Sequence, residues 1–218
     1  MNKTFSVPRA NSRGQGGHGG HGAFTLVELL VVVAIMVVVL VFAVPAGNNI
    51  LHGNQITKAM QQVQDQLSLA RQSAIGSNRT VEVRFYKYRD PSVPGSTAHF
   101  QAFQALEVVN AATFVPLGNV QTLPPGVIID ASPTLSSLLD PSKRVTSQGT
   151  VPIPMAATNY SYMAMRFLPN GSTDLVPTAN WYLTVHSGLS GDPMASPPPN
   201  FVTIQVDPVS GIVVFYRP

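Results

Sequence analysis

The sequence predicts an α+β chain, with one long N-terminal helix packed on a β-rich head. Three observations predict it. Residues 24–44 form an unbroken apolar run with a single charge. An amphipathic helical period follows that run. Beyond residue 80 the period gives way to alternating, β-branched and aromatic segments punctuated by proline and glycine. The 218 residues are 44% hydrophobic and 11% charged. An average soluble domain is roughly 25% charged, so a highly charged disordered chain is excluded. The chain has no cysteine, which excludes a disulfide framework and any Cys-ligated zinc or iron–sulfur site.

The formal charge of +3 is local. Lys3, Arg9 and Arg13 lie in residues 1–23, where there is no acid, and basic and acidic residues balance after that. Residues 1–22 are polar, basic and glycine-rich and cannot bury a core. From Phe24 to Val44 the one charge is Glu28. A helix of that length spans about 31 Å, close to the ~30 Å hydrocarbon core of a bilayer. The positive-inside rule places the N-terminus in the cytoplasm and the chain beyond Pro45 across the membrane. A secretory signal peptide cut after Ala46 and a plain membrane anchor are the competing readings. The apolar run exceeds the usual 7–15 residues of a signal peptide, and an acid inside a membrane helix is costly enough to need a partner or a task.

The segment Ala23-Phe-Thr-Leu-Val-Glu28-Leu-Leu-Val-Val-Val-Ala-Ile-Met36 resembles the N-terminus of type IV pilins and type II secretion pseudopilins. The resemblance implies a prepilin peptidase that cuts between Ala23 and Phe24 and methylates the Phe24 amine. Glu28 then stands where the family keeps its glutamate, and Pro45 where many pilins carry a helix-kinking proline. Ala23 departs from the glycine most common before the cut. A cut after Gly22 is the alternative, and it would move Glu28 out of register. In a filament the Glu28 carboxylate would pair with the Phe24 ammonium of a neighbouring subunit, fixing an axial stagger.

Past Pro45-Ala46-Gly47, the residues Ile56, Met60, Val63, Leu67, Ala70 and Ala74 fall on one helical face. That face is expected to pack on the chain's own sheet, and Gly76-Ser77-Asn78 to end the helix. Residues 1–23 then read as leader, 24–46 as membrane helix, 47–76 as its amphipathic continuation and 77–218 as an exported head. Seventeen of the 19 prolines lie beyond residue 90. Val81, Val83 and Phe85 alternate with Glu82, Arg84 and Lys87, which predicts a half-buried strand. Further strands are expected at 98–109, 126–130, 162–168, 181–186, 201–206 and 211–216, with Asp207–Gly211 linking the last two as a hairpin. Residues 141–158 and 187–200 read as loops.

Three scattered pieces extend the resemblance to the H/FimT type of minor pseudopilin. They are LARQSAIGSNRTVEVRFY at 69–86, FLPNGS at 167–172 and VTIQVDPVSGIVVFYRP at the end. The whole chain also resembles a prepilin-like family of Verrucomicrobia, Verru_Chthon cassette protein D.

Enzymatic chemistry has no constellation behind it. His18 and His21 sit in a glycine linker; His52, His99 and His186 are isolated and read as ordinary surface or core histidines. Asp130, Asp140, Asp174, Asp192 and Asp207 sit in or near loops, without the spacing of a calcium loop. The cluster Arg79, Arg84, Lys87 and Arg89 is offset by Glu82 and Asp90, and the tail carries only Arg217, so nucleic acid is not an expected partner. The expected function is that of a minor prepilin-like subunit of a type II secretion pseudopilus or type IV pilus-like filament. Its expected partners are prepilin peptidase, other pilin subunits and the inner-membrane assembly platform, with no cofactor. The alternatives are an anchored, exported binding module outside any filament and a DNA-binding minor pilin.

Overall fold

The computed structural model describes residues 25–218 except 92–94, 150–151, 155 and 157–159; within the first helix the side chains of 41–52 are also outside the description. Helix α1 covers Leu26–Ser77. The chain forms two compact units, Met1–Pro45 and Ala46–Pro218.

In the first unit Thr25 caps α1. The Glu28 N–H donates to Thr25 Oγ1 at 3.2 Å, and the Leu29 N–H to the Thr25 carbonyl at 3.1 Å. These bonds satisfy donors that a helix start leaves without partners. Every residue of Leu26–Leu40 is exposed, and all but Glu28 are apolar. Among the described residues no helix is long and apolar enough to cross a membrane.

In the second unit α1 is amphipathic as its spacing predicts. Ile56, Ala59, Met60, Val63, Leu67, Ala70 and Ala74 are buried in the main core. The helix ends within Gly76-Ser77-Asn78 as expected, and Asn78 terminates it. Asn78 takes the left-handed conformation, φ 54°, and the Arg79 N–H turns back to the Ala74 carbonyl at 3.2 Å. Asparagine is one of the few side chains that tolerate this geometry.

Among the described residues ten strands follow. They are β1 (Val81–Arg89), β2 (Ala98–Val108), β3 (Phe114–Pro116), β4 (Gln121–Thr122) and β5 (Val127–Ile129). Then come β6 (Ser147–Gln148), β7 (Ser161–Phe167), β8 (Trp181–Ser187), β9 (Phe201–Val206) and β10 (Val213–Tyr216). Their order is β10-β9-β8-β5-β2-β1-β7-β6, with β3 and β4 also paired to β2. Every recorded strand pair is antiparallel. The expected architecture, a long N-terminal helix packed on a β-rich head, holds, and the structure adds that the sheet is antiparallel. Val81, Val83 and Phe85 of β1 join Phe103, Met165, Phe167, Leu183 and Ile204 in one core with the α1 face.

Three expectations need correction. Residues 141–158 are not all loop, because β6 pairs there with the edge of β7. The short β3 and β4, of three and two residues, were not expected at all. Strand β1 is not half-buried. It lies between β2 and β7 near the middle of the sheet, and its second face is also covered. On that face Tyr86 and Tyr88 form a satellite core with Ala102 and Tyr160, and Glu82 is 4% exposed.

Strand β8 shows how a loop replaces a strand. Beside it run buried Ser136 and Ser137. The Thr184 N–H donates to Ser136 Oγ at 3.1 Å and the Tyr182 N–H to Ser137 Oγ at 3.0 Å. Serine hydroxyls thereby satisfy backbone donors that a neighbouring strand would otherwise take.

Candidate functional site

Of the predicted site residues, Ala23 and Phe24 lie outside the described residues. So does the side chain of Pro45, and with it the expected kink. Glu28 is described, in the first turn of α1 and exposed. Its backbone is held by Thr25, a partner the sequence reading passed over. The signal was present as Thr25-Leu-Val-Glu28, the Ser/Thr-x-x-Glu pattern of a capping box. Around this site α1 is apolar on all sides, so it has no face suited to water.

Within the head, the three scattered pieces of sequence meet at one side chain. Arg71 donates through Nε to the Ser210 carbonyl at 2.9 Å and to the Gly171 carbonyl at 3.2 Å. The two turns also bond directly, from the Thr173 N–H to the Pro208 carbonyl at 3.0 Å. Gly211 has φ 66°, and a Cβ there would lie 2.2 Å from the Gly171 oxygen, so glycine is required. Asp207 Oδ1 organises the second turn by accepting from the Ser210 N–H at 2.7 Å, the Ser210 hydroxyl at 3.0 Å and the Val209 N–H at 2.9 Å. The Ser210 backbone and hydroxyl bonds, with Val209, hold its carboxyl below the usual carboxylate range.

The sheet face away from α1 carries most of the head's organised charge. Glu82 accepts from Arg84 Nε at 2.6 Å and from Arg166 Nε at 2.8 Å. The Arg84 guanidinium sits 4.2 Å from the Phe114 ring centre and 4.6 Å from that of Tyr162. Tyr86 packs edge-on against Tyr160 and Tyr162, and its hydroxyl is 3.0 Å from Gln104 Oε1. Burial pushes the Tyr86 hydroxyl well above its ordinary pKa, against the opposing pull of Arg84. Burial, with Asp90 next, raises Tyr88 to about 12. Both phenols therefore stay neutral well into the alkaline range. Farther along, Arg144 bridges the Ala164 carbonyl and Asp174, the latter at 3.0 Å.

The basic cluster noted in the sequence is dispersed by the fold. Arg79 pairs with Glu107 at 2.6 Å, Arg84 is held between rings, and Lys87 lies over Phe100 after a bulge in β1. In the tail, Arg217 donates to Thr57 Oγ1 at 2.5 Å on α1.

His186 is a core histidine, one of the two readings the sequence offered. It and Asp130 are fully buried, with Nε2 2.9 Å from Asp130 Oδ2 and Nδ1 2.8 Å from the Ser187 carbonyl. A carbonyl only accepts, so Nδ1 carries a proton. His99 pairs likewise with Asp192 at 2.7 Å. The two aspartates clasp each other's segments. Asp192 accepts from the Ala131 N–H at 2.7 Å and Asp130 from the Met194 N–H at 3.2 Å. Among the described residues no group of three or more His, Cys, Asp or Glu is placed to hold a metal ion.

No protein-family model and no curated protein matches the chain. The solved structures similar to it include two minor pilin-type proteins. The minor pseudopilin EpsH from the type 2 secretion system of Vibrio cholerae is 13% identical, with a TM-score of 0.43 over 75% of this chain and 98% of that one. The type IV minor pilin FimU of Pseudomonas aeruginosa is 10% identical, with a TM-score of 0.42 over 76% of this chain and 93% of that one.

Proposed function

We propose that the chain is a prepilin-like structural subunit. Prepilin peptidase removes residues 1–23 between Ala23 and Phe24 and methylates the Phe24 amine. Residues 24–46 then hold the subunit in the inner membrane, 47–76 continue the helix outward, and the head 77–218 lies outside the cytoplasm. The subunit enters a type II secretion pseudopilus or type IV pilus-like filament as a minor component. The work is mechanical: extraction exchanges lipid contacts of the apolar helix for contacts with neighbouring helices.

One observation carries this reading. Leu26–Leu40 is helical, capped by Thr25, exposed all round and charged only at Glu28. A helix apolar on every side belongs in lipid or among other helices. Placed at the start of such a helix, a carboxylate needs a partner, and the new ammonium of a neighbouring Phe24 supplies one. Glu28→Ala should leave cleavage intact and sharply reduce incorporation into filaments, scored by co-sedimentation of tagged chains with sheared filaments. Normal incorporation would refute the role of Glu28.

The second reading is an exported binding module that stays anchored outside any filament. Clefts on the sheet face away from α1, one lined by Tyr86, Phe114 and Tyr160 and the other by Arg144 and Arg166, favour it, since a filament role alone does not call for them.

A further inference from the structure

The sheet face away from α1 holds two adjoining clefts that share Phe114. The first, about 480 Å3, is walled largely by Tyr86, Leu106, Pro116, Ile153, Pro154 and Tyr160. The second, about 370 Å3, is edged by Lys143, Arg144 and Arg166 with Glu82 and Asp174. Arg84 stands where they meet. Its Nε is fixed on Glu82, and its plane is held by the Phe114 and Tyr162 rings. Its side chain is 15% exposed, and among the described residues nothing accepts from its two terminal nitrogens. Two aligned guanidinium donors without acceptors, inside a groove, match the fork of a carboxylate.

The geometry points to a docking site for an extended segment of a partner protein, apolar where it lies along the first cleft and acidic from Arg84 into the second. Charge complementarity selects this occupant. Arg84, Lys143, Arg144 and Arg166 outnumber Glu82 and Asp174 across the two clefts. An acidic side chain takes the Arg84 donors, and a second reaches Lys143, whose side chain is 45% exposed and only 3.8 Å-paired to Asp140. The aromatic and proline walls of the first cleft accept apolar side chains of the same segment, which a free anion would leave unfilled. The site stands on the head's own geometry and holds whether or not the chain enters a filament.

The test pans phage-displayed random dodecapeptides on the full chain in detergent micelles and measures selected peptides by fluorescence anisotropy. The selected peptides should combine aromatic or aliphatic residues with Asp or Glu. Replacing those acids by Asn or Gln should weaken binding about tenfold, and Arg84→Met should do the same. Lys143→Glu, at a half-exposed position, should weaken the acidic peptides while the far-UV circular dichroism spectrum keeps its parental shape. The proposal is overturned if no peptide is enriched, if enriched peptides lack acids, or if they bind Lys143→Glu as tightly as the parent. Binding of an oligothymidine to this face in their place also overturns it.

Discussion

Arg71 joins the last turns of α1 to two turns a hundred or more residues away in sequence, at Gly171 and Ser210. Each of the three pieces was legible as a short pattern. Their meeting was not, because nothing in local spacing says which carbonyls a helix arginine will reach. Replacing Arg71 with Met leaves two carbonyls short of a charged donor. It should cost about 2 kcal/mol in urea unfolding of the detergent-solubilised chain. At the second turn, the depressed Asp207 carboxyl sets a pH dependence. Its stabilisation is fully present above the ordinary carboxylate value of 3.8 and is lost as pH falls through its lower folded value. Protection of the Val209 and Ser210 amides, relative to the intrinsic exchange rate at each pH, should therefore fall below about pH 3.8, and Asp207→Asn should remove that step. Thr25 was equally legible, through its spacing to Glu28, and marks where α1 begins.

Among elements, α1 was the most readable. The spacing of Ile56, Met60, Val63, Leu67, Ala70 and Ala74 assigned the buried face correctly, since a helix's period maps directly onto one contact stripe. Leu67→Ala, at a fully buried site, should cost about 3 kcal/mol, whereas Leu69→Ala, half exposed, should stay within about 0.5 kcal/mol. Thermal melts of the two variants compare them directly. The long strands were also found within a residue or two. Strands β3, β4 and β6 are too short to show a period, and they exist because β2 and β7 offer them edges. The second face of β1 misled the reading for a related reason. Glu82 and Arg84 are polar in sequence but neutralise each other, and Phe114 of β3 and Tyr162 of β7 pack against the Arg84 guanidinium. Alternation reports side-chain polarity, whereas burial depends on what the rest of the chain lays on top.

Across the whole molecule, the chain divides into a first unit whose described helix is bare and apolar and a second with a packed core. That division gives the proposal its physical content. The second unit has its own core and displays clefts, while Leu26–Leu40 offers apolar surface that water does not suit. The sequence alone located the apolar run, its acid and the basic residues before it. It did not reveal the outer-face clefts, which are assembled from four separate stretches of chain, around residues 82–86, 104–120, 143–154 and 160–174.

The most direct test of the account is the N-terminus of the chain purified from its native membrane, read by intact-mass and peptide mass spectrometry. The account predicts a chain that begins at Phe24 and carries one added methyl group on its amine. A chain beginning at Gly47, or one that retains residues 1–23, would contradict it.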